Sequence, residues 1–297
     1  MSGAGAIAYH AGRFVPAAEA RVPAGSLAMR YALSVFEGVR LYLAHGVASG
    51  RPVAFRLDDH LARLRRSLHV MRMPCGDLDA LPGIVDELVT RNEVREDTYL
   101  RLAVSIVTPG TLGVTAVETA TTATLTRMGR KKWLAEGAAM KLRIGPWQRA
   151  GELVFPPAVK CIANYAGARL ATLQARAEGY DDAILVGADG RLAEAPTANL
   201  FLIRGGVLRT PPLRDGVLAG ITRATLLELA AGLGIPAHEE TLTRGDAYEA
   251  DEAFLCGTGL ELAPIASFDG LAVAAPAPGP VTRRLLDAYF QRVRSAR

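Results

Sequence analysis

The chain has 297 residues, half of them hydrophobic, and a formal net charge of +4 at pH 7. This length can bury one large or two moderate cores, which predicts an ordinary globular protein. Basic residues are mostly interleaved with acidic ones, and no apolar run approaches the roughly 20 residues of a membrane span, so neither a nucleic-acid partner nor a membrane is expected. The first residues lack the basic and apolar regions of a secretion signal, which predicts a cytoplasmic protein.

The first half of the chain shows mixed helical and strand patterns. Leucines spaced four and three residues apart, behind an acidic first turn, predict an amphipathic helix over residues 57–73. A second helical pattern covers 81–89, and alternating strand formers predict a strand over 99–107. The charged, glycine-containing stretch 127–137 interrupts these patterns and predicts a linker.

A boundary in this linker predicts an N-terminal α/β domain, 1–132, and a C-terminal α/β domain, 133–297, that carries the chemistry. Periodicity and turn residues in the second half predict a similar alternation of strands and helices. The predicted elements are strands at 140–144, 182–186 and 254–256, a hairpin of 199–204 with 207–210, and helices at 165–177, 221–233 and 281–293.

The three cysteines of the chain, Cys75, Cys161 and Cys256, are scattered. They form no C-x-x-C pair and have no nearby histidines at ligand spacing, which argues against a disulfide framework and a zinc site. Reduced thiols and no metal are therefore expected.

Lys160 lies in a largely uncharged stretch, 155–165, where a lone ammonium loses hydration and shifts toward its neutral form. A neutral amine is what a lysine needs to form a Schiff base. Tyr165, at the start of the next helix, can reach an oxygen beside such an imine, and Glu194 can keep a pyridine nitrogen protonated. Taken singly, the three also fit a surface lysine, a tyrosine packed at a helix start and a solvated loop carboxylate.

Three further segments suit a phosphate group. The helix start at 220–223 offers free N–H groups and the positive end of a helix dipole, although Thr222 also fits an ordinary cap. The turn at 256–259 offers backbone amides and the Thr258 hydroxyl. Arg56 can bind a phosphate through two parallel hydrogen bonds, or it is an ordinary arginine at the end of a strand. Together these residues include every partner that one pyridoxal 5′-phosphate needs.

In order and spacing, these residues resemble the branched-chain aminotransferases, within class IV of the pyridoxal-phosphate enzymes. The resemblance covers nearly the whole chain and is carried by 31–40, 55–56, 160–165, 194 with 199–201, 220–223 and 257–258. It implies a two-domain fold-type IV enzyme of α+β or α/β class, similar to D-amino acid aminotransferase, with the cofactor at the domain interface. It also implies a homodimer in which the partner lends part of each pocket.

The resemblance implies a role for each matched residue. Lys160 would form the imine with pyridoxal 5′-phosphate and shuttle the proton, Glu194 would pair with the pyridine nitrogen, and Tyr165 with the phenolic oxygen. The other cofactor contacts would come from Arg56, Leu218, Ile221, Thr222 and Thr258. Substrate-binding positions would be Tyr31, Phe36, Arg40, Tyr99, Arg101, Val114, Thr258 and Gly259.

The implied activity is ping-pong transamination between a branched-chain L-amino acid and 2-oxoglutarate. Tyr99 and Arg101 resemble the family strand whose arginine receives the side-chain carboxylate of glutamate, and 112–114 resembles the loop lent to the partner. Departures from the family pattern are the polar segment 128–132, Gly259 in place of alanine and Ala198 in place of an acidic residue. (R)-Amine or D-amino acid transamination, aminodeoxychorismate lyase chemistry and an inactive cofactor carrier therefore stay open as alternatives.

Overall fold

The computed structural model describes residues 6–44, 50–129 and 132–295, which group into two compact units. Unit 1 comprises the chain up to Gly129, the stretch Val159–Ala163 and the chain end from Val293, and unit 2 comprises the rest. The stretch around Lys160 thus groups with unit 1, whereas the sequence analysis assigned it to the C-terminal domain. The boundary between residues 132 and 133 stays a prediction, and residues 130 and 131 of the expected linker lie outside the described residues.

Unit 1 is built on one antiparallel sheet. Within the described residues its strands are β1 Ile7–His10, β2 Arg13–Pro16, β3 Ser34–Tyr42, β4 Val53–Ala54, β5 Thr98–Ile106 and β6 Thr119–Arg127. Its α-helices are α1 Leu27–Tyr31, α2 Leu57–Val70 and α3 Leu81–Arg91. The strand order is β2-β1-β6-β5-β3-β4, so β3 and β5 lie side by side near one edge.

The predicted elements of unit 1 are confirmed as α2, α3 and β5. α2 ends at Val70, three residues earlier than predicted, because Arg72 adopts a left-handed backbone with φ +52° that a helix cannot contain. The stretch predicted as a linker still contains the end of β6 at Arg127 and a short helix, α4 Lys132–Ala135.

Unit 2 is built on a larger, mixed sheet. Besides α4, its described α-helices and strands are β7 Met140–Gln148, α5 Tyr165–Ala177, β8 Asp182–Val186, β9 Glu194–Ala195, β10 Ala198–Arg204, β11 Val207–Thr210, α6 Ile221–Gly232, β12 Ala237–Glu239, α7 Arg244–Tyr248, β13 Glu252–Gly257, β14 Glu261–Phe268, β15 Leu271–Ala272 and α8 Pro280–Arg294, whose last two residues group with unit 1. The order is β12-β11-β10-β13-β14-β7-β8, with β9 beside β10 and β15 beside β14. All elements predicted for the second half are present here.

Both faces of the central strands in unit 2 are buried. Leu200, Leu202 and Leu255 belong to one hydrophobic cluster, and alternation turns Phe201 and Phe254 to the opposite face, where their rings stack 5.0 Å apart. Such strands appear in the sequence as continuous apolar runs. Across the ranges described above, no helix combines the length and apolar character that crossing a membrane requires.

Candidate active site

Lys160 lies beside β3 and is bonded on both sides of its Cα. Its carbonyl oxygen accepts a hydrogen bond from the Phe36 N–H at 3.0 Å, and its own N–H donates to the Ser67 hydroxyl at 3.1 Å. The next residue, Cys161, forms an antiparallel bridge with Val35 of β3. The Lys160 Nζ lies 4.6 Å from the centroid of the Phe36 ring. The sheet therefore fixes the backbone of this lysine and places its amine over an aromatic face.

Three predicted substrate residues gather on this face of the β3–β5 pair. The Arg101 guanidinium carbon lies 3.7 Å from the centroid of the Phe36 ring, and Arg101 also bonds the side chain of Tyr99. The Tyr99 hydroxyl approaches Gly38 so closely that a Cβ there would lie 1.8 Å from it. Burial raises the pKa of Tyr99, so its phenol stays a neutral donor. Unit 1 thus brings Lys160, Phe36, Tyr99 and Arg101 together.

Two other predicted arginines lie on β3 and at the start of α2. Arg40, buried on β3, donates from Nη2 to the Met128 carbonyl oxygen at 3.4 Å. Arg56 caps the start of α2 with a left-handed backbone, φ +52°, and its Nε lies 2.6 Å from Asp59 Oδ2. A non-glycine residue in this conformation carries strain of the kind that collects at functional sites.

Tyr31 and Val114 lie outside the β3–β5 pair, at the end of α1 and in the connection between β5 and β6. Tyr31 is the last residue of α1, with the Arg30 guanidinium carbon 5.4 Å from its ring centroid. Val114 closes a turn between β5 and β6 through its N–H and the Thr111 carbonyl. Both side chains are half-buried.

A fully buried carboxylate lies on the opposite face of β3. Arg63 of α2 donates from Nε and Nη2 to the two oxygens of Glu37 at 2.7 and 2.8 Å, and His60 Nδ1 lies 2.7 Å from Oε2. Burial disfavours the ionised form of Glu37, but the bonds from Arg63 and His60 prevail and lower its pKa to about 2. Burial lowers the pKa of His60, so the neutral ring donates its Nδ1 proton to Glu37.

In unit 2, the buried Glu194 opens β9. Arg149 Nε donates to its Oε1 at 2.8 Å, while Asn199 Nδ2 and the Leu218 N–H donate to Oε2 at 2.8 and 3.1 Å. A carboxylate offers about four acceptor sites, so these three donors orient it and leave capacity for one more. A protonated pyridine nitrogen is a donor of this kind.

Asn199 also connects this carboxylate to the start of α6. Its Nδ2 donates to the Leu218 carbonyl at 3.0 Å, and its Oδ1 would lie 2.0 Å from a Cβ at position 220, so only glycine fits there. Gly220 is the N-cap of α6 and provides no capping side chain. The N–H groups of Ile221 and Thr222 at the positive end of the helix dipole therefore suit a phosphate.

The remaining predicted residues of unit 2 lie at the ends of other elements. Tyr165 is the first residue of α5. Thr258 and Gly259 form the turn between β13 and β14, which the Leu260 N–H closes by donating to the Gly257 carbonyl at 3.1 Å. A Cβ on Gly257 would lie 3.2 Å from the Thr197 carbonyl oxygen, so this turn approaches the backbone before β10 closely.

The predicted site residues therefore form two groups. Unit 1 contains Lys160, Arg56, Tyr31, Phe36, Arg40, Tyr99, Arg101 and Val114. Unit 2 contains Tyr165, Glu194, Leu218, Ile221, Thr222, Thr258 and Gly259.

Comparison with known proteins assigns a family to this arrangement. Residues 34–268 match the family model of the class IV aminotransferases. This chain belongs to the class IV aminotransferase family. It is 35% identical to the branched-chain-amino-acid aminotransferase of Salmonella typhimurium over 286 residues, which cover 94% of this chain and 90% of that protein.

Solved structures agree with the sequence match. The branched-chain aminotransferase of Thermoproteus uzoniensis with norvaline is 34% identical, with a TM-score of 0.89 over 97% of this chain and 94% of that one. The PLP form of the Thermobaculum terrenum enzyme, also 34% identical, gives 0.91 over the same shares. The chain is an aminotransferase with the fold-type IV architecture that the sequence predicted.

Several buried residues around the site of this aminotransferase escaped the sequence analysis. Arg149 and Asn199 hold Glu194, yet Arg149 had no assigned role and Asn199 was quoted only as part of a matching segment. His60 and Ser67 lie next to the leucine stripe of α2, three and four residues from Arg63. A run of polar residues at helical spacing beside an apolar stripe was the available signal for a buried polar face.

Proposed function

We propose that this aminotransferase carries pyridoxal 5′-phosphate on Lys160 and transfers the amino group of a branched-chain L-amino acid to 2-oxoglutarate. The observation that carries this proposal is the Asn199 bridge, which ties the buried Glu194 carboxylate to the uncapped start of α6. A carboxylate for a ring nitrogen and a helix start for a phosphate, held at fixed spacing, fit the two ends of this cofactor. The branched-chain aminotransferases that the chain resembles support the choice of substrate.

The cofactor, when bound, supplies an electron sink that makes the Cα–H of an amino acid acidic. Glu194 would hold the pyridine nitrogen in its protonated form, and Tyr165 would bond the phenolic oxygen. The Lys160 amine would move a proton from Cα of the amino acid to C4′ of the cofactor in the first half of the reaction, and in the reverse direction in the second half. The groups proposed to hold the ring and the phosphate are Leu218, which would pack beneath the ring, and Arg56, Ile221, Thr222 and Thr258.

The substrate side chain is proposed to meet the face formed by Phe36, Tyr99 and Arg101. The Phe36 ring offers an apolar wall for a branched side chain, and the guanidinium of Arg101 can receive the distal carboxylate of glutamate. Further substrate contacts are proposed for Tyr31, Arg40, Val114, Thr258 and Gly259.

A donor panel tests this function. Purified protein with pyridoxal 5′-phosphate and 2-oxoglutarate should form glutamate from L-leucine, L-isoleucine and L-valine, and the visible absorption band should change on adding each donor. Turnover of D-alanine or an (R)-arylamine alone would contradict the substrate choice and favour the other transaminations. Lys160→Ala should abolish glutamate formation while circular dichroism shows an intact fold. A band that no donor changes would indicate an inactive carrier.

A homodimer is part of the proposal. The loop 112–114 resembles the segment that family members lend to a partner, and Leu112 is 66% exposed. Leu153 and Val154 are 103% and 81% exposed, which is unusual for apolar side chains and fits burial in an interface. Light scattering after gel filtration should give the mass of two chains; a monomer would contradict this.

A cytoplasmic location completes the proposal. Cys75, Cys161 and Cys256 are free thiols, which fit a reducing compartment. Fractionation of cells that express the tagged protein should recover it in the cytosol, and recovery from another compartment would contradict this location.

A further inference from the structure

The helix α2 has a buried polar stripe beside its apolar one. His60, Arg63 and Ser67 are only 1%, 4% and 1% exposed. Steps of three and four residues place them on one face of the helix. This face packs against β3, because Glu37 of that strand bonds both His60 and Arg63.

The bonds to Glu37 fix the register of α2 along β3. Arg63 binds the carboxylate with two parallel bonds and His60 adds a third. In a buried site, sliding or rotating the helix would break these bonds and leave charges without partners. Setting a register is the best-attested use of a buried polar cluster.

Ser67 lies one helical turn beyond Arg63 and reaches the backbone of Lys160. Its hydroxyl accepts the Lys160 N–H at 3.1 Å, and the Lys160 carbonyl accepts the Phe36 N–H at 3.0 Å. One bond comes from α2 and the other from β3, so the position of Lys160 depends on how these two elements are aligned.

We propose that Ser67 is a positioning residue for Lys160, and that the Glu37 cluster sets its place along β3. This inference rests on the proposed role of Lys160 as the lysine that carries the cofactor. The position of the Lys160 Cα determines which points its four-bond side chain can reach. A displacement there is transmitted to Nζ, and about 1 Å of misplacement can cost roughly 10²-fold in rate.

The test uses the holoenzyme with Ser67→Ala. We expect kcat to fall about 10- to 100-fold, with the KM for the amino donor nearly unchanged, because Phe36, Tyr99 and Arg101 keep their places. The pH midpoint of the visible absorption band should also shift. Charged or titratable groups of the described residues near this lysine include His60, which interacts electrostatically with Lys160 and bonds Glu37 beside Arg63. They also include Arg101, which lies on the Phe36 ring and bonds Tyr99, so a displaced amine experiences a different electrostatic environment.

Two variants separate positioning from general destabilisation. Ser105→Ala is the matched control: its hydroxyl bonds the Ser34 hydroxyl at 2.9 Å in the same sheet, and it is also buried. This control should lose a similar amount of thermal stability but keep kcat and the pH midpoint. Ser67→Thr keeps the acceptor oxygen and should restore both quantities toward the wild type.

Equal kcat and equal pH midpoint in Ser67→Ala and Ser105→Ala would overturn the inference, and this comparison holds even if Ser67→Thr does not fold. Failure of the proposed function looks different. In that case the wild-type band would not respond to any amino donor, before any variant is compared.

Discussion

Two buried glutamates, Glu37 in unit 1 and Glu194 in unit 2, have similar immediate partners. Each carboxylate accepts a bond from an arginine Nε, at 2.7 and 2.8 Å, and bonds from two further donors. They differ in the elements that supply those donors. Both partners of Glu37 come from one helix packed on its strand, whereas one partner of Glu194 is the backbone N–H of Leu218, three residues before the start of α6. The hydrogen-bond donors alone thus do not distinguish the two buried carboxylates. The elements that supply those donors do.

The variant Glu37→Gln is expected to have the largest effect, which is a loss of stability. The neutral amide leaves the Arg63 guanidinium buried without its counterion, which costs about 3–5 kcal/mol. Denaturant unfolding of the wild type and the variant measures the difference. A loss below about 1 kcal/mol, the scale of an exposed ion pair, would mean that the cluster does not fix α2 on β3.

The corresponding change in unit 2, Glu194→Gln, should act mainly on catalysis. Loss of the preorganised charge that would keep the pyridine nitrogen protonated should lower kcat by roughly 10²- to 10³-fold. Its stability cost should be smaller than that of Glu37→Gln, because the side chain of Arg149 is 11% exposed and keeps some contact with water. Near-normal kcat together with a large loss of stability would mean that Glu194, like Glu37, has a structural role only.

The fold of unit 2 was more predictable from the sequence than that of unit 1. The strands β8 and β10 are buried on both faces and form apolar runs, whereas β6 is largely threonine and alanine, without an apolar pattern that would indicate a strand. The strand β3 was recognised only as a family motif. Its pairing with β5, which collects Phe36, Tyr99 and Arg101 on one face, is a long-range contact that local patterns do not contain.

The sequence analysis proposed site residues where the chain matches a family motif, but it did not find the residues that bond to them. Lys160 and Glu194 belong to the matching segments, so their roles were proposed from the sequence. Ser67 bonds a residue 93 positions away, and Arg149 one 45 positions away. Such partners are set by the packing of whole elements, and no local sequence pattern indicates which acceptor a given hydroxyl or guanidinium will bond.

The contribution of Glu37 to stability should depend on pH, because its pKa is about 2 in the folded protein against its usual 4.5. A carboxyl with a lowered pKa contributes stability that is complete above pH 4.5 and is lost as pH falls toward 2. By linkage this contribution is about 3 kcal/mol. The lowered pKa of His60 acts in the same direction, beginning near pH 6.5, where the unfolded ring gains its proton.

The acid prediction is measured as a difference between proteins. The stability gap between the wild type and Glu37→Gln should narrow as pH falls from 4.5 toward 2, in urea titrations at each pH. A gap that stays constant over this range would show that Glu37 titrates as an ordinary carboxyl.

The smallest expected effect comes from Gly38, the neighbour of Glu37 that faces the other side of β3. In Gly38→Ala the new methyl would lie 1.8 Å from the Tyr99 hydroxyl, so Tyr99 must move, at about 1–3 kcal/mol of overpacking. The KM for the amino donor should rise as well, because Tyr99 belongs to the proposed substrate face. Gly145→Ala in β7 is the control: its nearest neighbours are 3.8 Å away, and it should be tolerated. If both variants behave alike, the Tyr99 hydroxyl is not held over Gly38. If they differ, one strand separates a structural face, at Glu37, from a substrate face only one residue away.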